Sequence, residues 1–170
     1  MVPEIPALDV EIPEISQVAF VVEDAGDAMD RFGAVLGVDV WHLYRFEPPR
    51  LADTTLRGEP HDYSMLLALA DVGGTMFELI EPLSGESIYT EHLETHGEGL
   101  HHIACFAFDD PEGVVTAFEE AGISVLQSGV FVETPYWYFD TQEHLNGVIF
   151  ETAANVDALP EPDDTHTVSS

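Results

Sequence analysis

Four side chains able to bind a metal sit at matching places in two copies of one short pattern. Gln17 heads the apolar run Val18-Ala19-Phe20-Val21-Val22, and His102 heads Ile103-Ala104-Cys105-Phe106. Further along each copy a phenylalanine precedes a glutamate inside a second apolar run, Phe77-Glu78 and then Phe150-Glu151. The separations are 61 residues (78 − 17) and 49 residues (151 − 102), as expected if the first copy carries a longer loop. Strand side chains alternate between faces, so each glutamate turns to one face and its neighbouring ring to the other. A carboxylate inside an apolar strand is costly to bury without a partner. Two of them at equivalent positions, matched with an amide and an imidazole, are explained together by one divalent cation held by four ligands about a pseudo-twofold axis. Nitrogen and oxygen donors of this kind suit Zn, Fe, Co, Ni or Mn rather than Ca. Two coordination positions would remain for water or substrate.

Taken singly, each of the four has a plainer explanation. Gln17 reads as a polar strand end, and either glutamate as a surface group or an arginine partner. Their placement in the repeat carries the inference. His101-His102 is weak evidence as a dipeptide, and His42, His61, His92, His96, His144 and His166 have no counterpart in the other copy, so they are assigned to surface or loops.

The surrounding pattern predicts the elements that must hold these groups. Residues 15–22 are strand-like. From Ala25 to Leu36 the apolar residues Ala25, Met29, Phe32 and Leu36 recur at helical spacing, with Gly37 as the stop. Residues 38–46 return to strand. Residues 47–62 hold Pro48, Pro49, Gly58 and Pro60 and read as a long loop, a length often used for binding loops or lids. A hairpin follows, with its turn at Gly73-Gly74. The second copy repeats the order: strand, a helix opened by Asp110-Pro111, and three strands near 123–132, 134–140 and 147–153. The expected organisation is an arm over 1–14, a first βαβββ module over 15–83, and a linker with a short helix over 84–99. A second module covers 100–154, and a flexible acidic tail 155–170. The fold class is α+β. One module leaves a sheet face uncovered, so two should pair into a curved mixed sheet with helices on the convex face and a concave cup. Tyr136, Trp137 and Tyr138 could line that cup.

Charge narrows the partners. The 170 residues carry 33 Asp and Glu against four arginines and no lysine, a formal net charge of −29. A basic footprint for nucleic acid is missing, as is attraction to an anionic membrane, and no lysine is present for a Schiff base. The acids are spread along the chain, and at molar salt, where the Debye length is about 3 Å, their repulsion is screened. The composition is that of an extreme halophile's protein. The single Cys105 cannot form an internal disulfide and lies in an apolar strand, which reads as a buried, inert thiol in a reducing cytoplasm. No apolar run approaches the length of a membrane span.

The run Gly97-Glu98-Gly99-Leu100-His101-His102-Ile103-Ala104, the segment Phe77-Glu78-Leu79-Ile80-Glu81-Pro82-Leu83 and the repeated modules resemble the vicinal oxygen chelate superfamily. That group includes glyoxalase I, methylmalonyl-CoA epimerase, extradiol dioxygenases and bleomycin-resistance proteins. The resemblance implies Gln17, Glu78, His102 and Glu151 as metal ligands, with Glu151 and Glu78 catalytic and Glu151 serving as both ligand and base. It implies proton transfer next to a carbonyl through a metal-held enediolate or enolate, in a lactoylthiol-lyase manner like glyoxalase I. The alternative is racemisation like that of methylmalonyl-CoA epimerase, whose extra glutamate on the third strand of the first module has no counterpart in residues 62–69. A metal-free ligand-binding protein of the bleomycin-resistance type is the alternative from another class. The implied partner is a small carbonyl or thioester substrate, and family members build the cup within one chain or across a homodimer.

Overall fold

The computed structural model describes residue 4 and residues 6–169, so residues 1–3 and 5 of the expected arm, and residue 170 of the tail, lie outside the described residues. Among the described residues, eleven strands form one sheet: β1 (Gln17–Val21), β2 (Val40–Phe46), β3 (Leu51–Leu56), β4 (Glu59–Pro60), β5 (Ser64–Val72), β6 (Thr75–Ser84), β7 (Gly99–Cys105), β8 (Val125–Phe131), β9 (Thr134–Phe139), β10 (Ile149–Ala153) and β11 (Asp164–Thr167). Three helices accompany them, α1 (Ala25–Leu36), α2 (Ile88–His96) and α3 (Pro111–Glu120).

The strand order β11-β2-β5-β6-β1-β7-β10-β9-β8-β3-β4 contains the duplication. At its centre β1 and β7 run antiparallel, and each is flanked by a parallel partner from its own half, β6 and β10. Reading outward from that centre, β6 matches β10, β5 matches β9 and β2 matches β8.

Local chemistry sets the element ends. Asp24 caps α1 by accepting from the Asp27 amide at 2.8 Å, and Gly37 ends it in the left-handed region at φ 71°. Ser87 and Thr90 form a reciprocal capping box on α2. The β5–β6 hairpin closes on Gly73 and Gly74, both at positive φ, the arrangement a two-residue turn needs to follow strand twist.

Strand alternation separates two sets of apolar residues. The outward set carries helices: α1 covers Trp41, Ala68 and Leu79, while α3 covers Cys105, Phe139 and Phe150, with Phe118 stacked on Phe139 at 4.1 Å. Burying a large apolar side chain such as Leu79 or Phe150 in this way contributes about 1.5–3 kcal/mol. The inward set, including Val21, Met65, Leu67, Ile80 and Tyr136, lines the concave face. The linker helix α2 is different, because its Ile88 and Tyr89 are buried in the inward cluster and close one end of the cup.

Two expectations are corrected. Residues 47–62 are not a long loop: after a turn with a cis Pro48–Pro49 bond, β3 crosses to the other half and pairs with β8. The sheet must therefore curl until its two ends nearly meet, and Phe46 of β2 stacks on Phe131 of β8 at 3.7 Å. The tail is not frayed either. A 3-10 turn at Val156–Ala158 precedes β11, which pairs with β2. Asp163 fastens it by accepting from the Arg45 amide at 2.7 Å and the Arg50 guanidinium at 2.8 Å. Val168 fits against Gly33 of α1, where an added Cβ would lie 2.8 Å from its methyl carbons.

Candidate metal centre

The register places the four side chains named from the sequence at equivalent points of the two halves. On β1, Gln17 lies two residues before Ala19, the partner of Glu78 on β6. On β7, His102 lies two residues before Ala104, the partner of Glu151 on β10. Across the central seam Gln17 pairs with Ala104 and Ala19 with His102. Both alanines face inward between the ligands and are fully buried, so the space between the four longer side chains stays open.

The donors converge. His102 Nε2 lies 2.9 Å from Glu151 Oε2, 3.3 Å from Glu78 Oε2 and 3.1 Å from Gln17 Oε1. The inward amide atom of Gln17 is also 3.2 Å from each glutamate Oε2. Metal–ligand bonds of about 2.1 Å place neighbouring ligands about 3.0 Å apart in an octahedron and about 3.4 Å apart in a tetrahedron. The observed separations match that range. With the amide oxygen inward, four lone-pair donors face one another, an arrangement that a cation satisfies. Among the described residues, Glu78, His102 and Glu151 are the one such group of three with ligand atoms within 4.8 Å of one another. Of the 33 acids in the chain, Glu78 and Glu151 alone are buried.

Without a cation the cluster compensates in two ways. Gln17 can turn its NH2 inward and donate to both carboxylates. His102 can hold a proton: burial works against the charged ring, but the Glu151 charge and hydrogen bonds to both carboxylates outweigh it and raise its pKa to about 9. Glu151 is pushed upward, chiefly by burial, against the lowering effect of His102.

The two glutamates are not equivalent in their surroundings. Opposite Glu151 on β9 stands Tyr138, whose hydroxyl receives a bond from Tyr89 Oη at 2.7 Å. Opposite Glu78 on β5 stands Leu69. Of the four aromatic residues on β9, Tyr136 and Tyr138 face the cup while Trp137 and Phe139 pack outside, as strand alternation requires.

His101 belongs to the site although spacing gave no reason to include it. A register shift between Ala19 and Phe20 leaves His101 as an extra residue in β7, so both imidazoles turn inward. His101 Nδ1 lies 2.8 Å from His102 Nδ1. When His102 offers its Nε2 lone pair to a metal, its Nδ1–H donates to His101, which fixes the ring and its tautomer. His101→Phe should weaken Zn or Co binding by about tenfold to a hundredfold, and His101→Gln, which keeps an acceptor, by less. Competition against a chromogenic chelator measures both. Equal affinity in wild type and His101→Phe would rule out this support.

Above these four side chains lies a cavity of about 220 Å³, lined by Phe46, Met65, Leu67, Met76, Phe106 and Tyr136 among others, with Gln17, Glu78 and Glu151 at its base. Val156, Asp157 and Leu159, from the segment expected to fray, complete the wall. His92 and His96 lie away from the ligands, in a separate depression that also touches His101.

A curled sheet of paired modules with an inward amide, imidazole and two carboxylates defines a class of small α+β proteins built around one cup. The chain belongs to the glyoxalase/bleomycin resistance protein/dioxygenase superfamily, whose family model matches residues 16–139. No functionally curated protein matches the sequence. Among solved structures, a hypothetical protein of Bacillus halodurans C-125 aligns with a TM-score of 0.62 at 18% identity, over 87% of this chain and 98% of its own. Methylmalonyl-CoA epimerase from Mycobacterium tuberculosis aligns at 0.58 and 17% identity, over 84% and 88%. A variant of Streptomyces coelicolor methylmalonyl-CoA epimerase, in complex with 2-nitronate-propionyl-CoA, aligns at 0.57 and 19% identity, over 89% and 100%. At these identities the likeness is one of fold.

Proposed function

We propose that this chain catalyses metal-dependent proton transfer next to a carbonyl, as a glyoxalase-I-like lyase. The observation that carries the reading is the convergence of Gln17, Glu78, His102 and Glu151 donor atoms beneath an apolar cavity. These four would hold a divalent ion (Zn, Ni, Co, Mn or Fe), which when bound would polarise the substrate carbonyl and stabilise the negative charge formed beside it. Glu151 takes the proton from the adjacent carbon. Burial has already made its carboxylate more basic than an exposed one, which suits a base working near neutral pH. Tyr138, held by Tyr89, is its cross-strand neighbour on β9. Glu78 fills the equivalent place in the other half and is positioned to return a proton from the opposite side. The apolar walls exclude water while charge is being moved.

The structural likeness to methylmalonyl-CoA epimerases favours racemisation as the second reading. Against it, β5 contributes Met65, Leu67 and Leu69 to the cup, and Asp71, next on the same face, lies in an adjoining depression instead. A metal-free ligand binder would have no use for convergent lone pairs at the base of its cup.

The acidic surface fits a cell interior of molar salt, so the test is run in it. Elemental mass spectrometry on protein purified without chelator should find about one divalent ion per chain. The loaded protein alone should then exchange deuterium at the carbon beside the carbonyl of a hemithioacetal. Protein that stays metal-free after reconstitution with Zn, Co, Ni and Mn overturns the reading in favour of ligand binding.

A further inference from the structure

We infer that the part of the substrate enclosed by the cup is uncharged and apolar, so that this chain acts on small neutral carbonyl compounds rather than on anionic acids or conjugates. The inference rests on the proton-transfer reading and names the substrate class for that site. The cavity wall is built of aliphatic, aromatic and methionine side chains, and none of the four arginines lines it. Three of those arginines are already engaged elsewhere: Arg31 with Asp27 and Glu98, Arg50 with Asp163, and Arg57 with Glu91. The fourth, Arg45, is exposed on β2 away from the cavity, and the chain has no lysine. A bound divalent ion would be offset by Glu78 and Glu151, so the remaining formal charge on the cavity wall is the carboxylate of Asp157.

A carboxylate or phosphate carried past the metal centre into this space would lose its water and find no fixed positive partner among the walls, where the one charge is that of Asp157. Molar salt does not rescue it, because ions screen exposed charges far better than enclosed ones. A branched aliphatic or aromatic substituent instead meets Phe46, Met65, Met76 and Leu159. Unbranched methionines adapt to irregular apolar shapes, which suits a set of related substituents rather than one. Leu159 and Val156 come from the segment after β10, so the tail held by β11 completes this apolar wall.

The test uses the full-length protein loaded with Co2+, whose visible spectrum reports ligand exchange, titrated with benzohydroxamate and 4-carboxybenzohydroxamate. Both present the same pair of chelating oxygens and differ by one charge on the enclosed ring. Benzohydroxamate should perturb the spectrum and bind at least about tenfold more tightly than the carboxylated compound at equal salt. Leu159→Arg should shrink or reverse that ratio without changing cobalt stoichiometry. Equal affinities, or tighter binding of the carboxylated probe, overturn the inference and leave the metal-dependent reading standing. Failure to bind cobalt, or no spectral response to either probe, overturns both.

Discussion

Glu151→Gln should leave the cup folded and slow proton transfer by about a hundredfold to ten-thousandfold, the usual contribution of a positioned base. The change keeps the shape of the side chain and removes its charge and basicity. Folding should survive it, because the carboxylate is already held in a setting whose burial favours the uncharged form. Glu78→Gln, the matching change in the other half, should cost less in rate. The distinction comes from the opposing strands: Glu151 faces Tyr138 and lies 2.9 Å from His102 Nε2, whereas Glu78 faces Leu69 and lies 3.3 Å away. Deuterium exchange at the substrate carbon, with metal content and near-ultraviolet circular dichroism measured on the same samples, separates loss of the base from loss of metal or fold. A Glu151→Gln protein that keeps its metal and exchanges within about threefold of wild type, well inside the range expected for a base, would remove Glu151 from the reaction.

The second large effect is one of pH on metal affinity. In the metal-free protein His102 carries a proton up to about pH 9, against an ordinary value of 6.5. A metal must displace that proton, so apparent affinity should rise about tenfold per pH unit between roughly 6.5 and 9 and then level off. The sign for stability follows from the same shift. A folded-state pKa above the unfolded one contributes stability that is complete below 6.5 and is lost as pH rises through about 9. The metal-free protein should weaken across that interval, and the gap in Tm between loaded and metal-free protein should widen. Chelator competition and thermal unfolding at pH 6.5, 7.5 and 8.5, at constant molar salt, check both. An affinity that does not vary with pH would mean that His102 holds no such proton.

How much of this was legible in the sequence depended on the range of the physical signal. Helix α1 could be read to the residue because Asp24, the apolar spacing and Gly37 are all local. The convergence of Gln17, Glu78, His102 and Glu151 could be anticipated because strand alternation and an internal repeat convert sequence position into side-chain direction. Strand β3 could not, since Pro48, Pro49, Gly58 and Pro60 announce turns, while the partner that makes it a strand, β8, belongs to the other half. The inward turn of His101 depends on a register shift against β1, which no pattern in β7 betrays. Pro160, Pro162 and their acidic neighbours read as a loose end. What fixes that end is Asp163 reaching Arg45 and Arg50, and the gap at Gly33 that admits Val168.

The crossing of β3 also has a bearing on how the chain matures on the ribosome. Residues 51–56 emerge early, yet the edge they pair with ends at Phe131, so the first half leaves the exit tunnel with a strand edge exposed and unmatched. Pairing of such remote segments is slow, and an unmatched edge invites contact with other nascent chains. At the ionic strength this composition suits, the acidic side chains are screened and would not by themselves hold growing copies apart before the cup can shut.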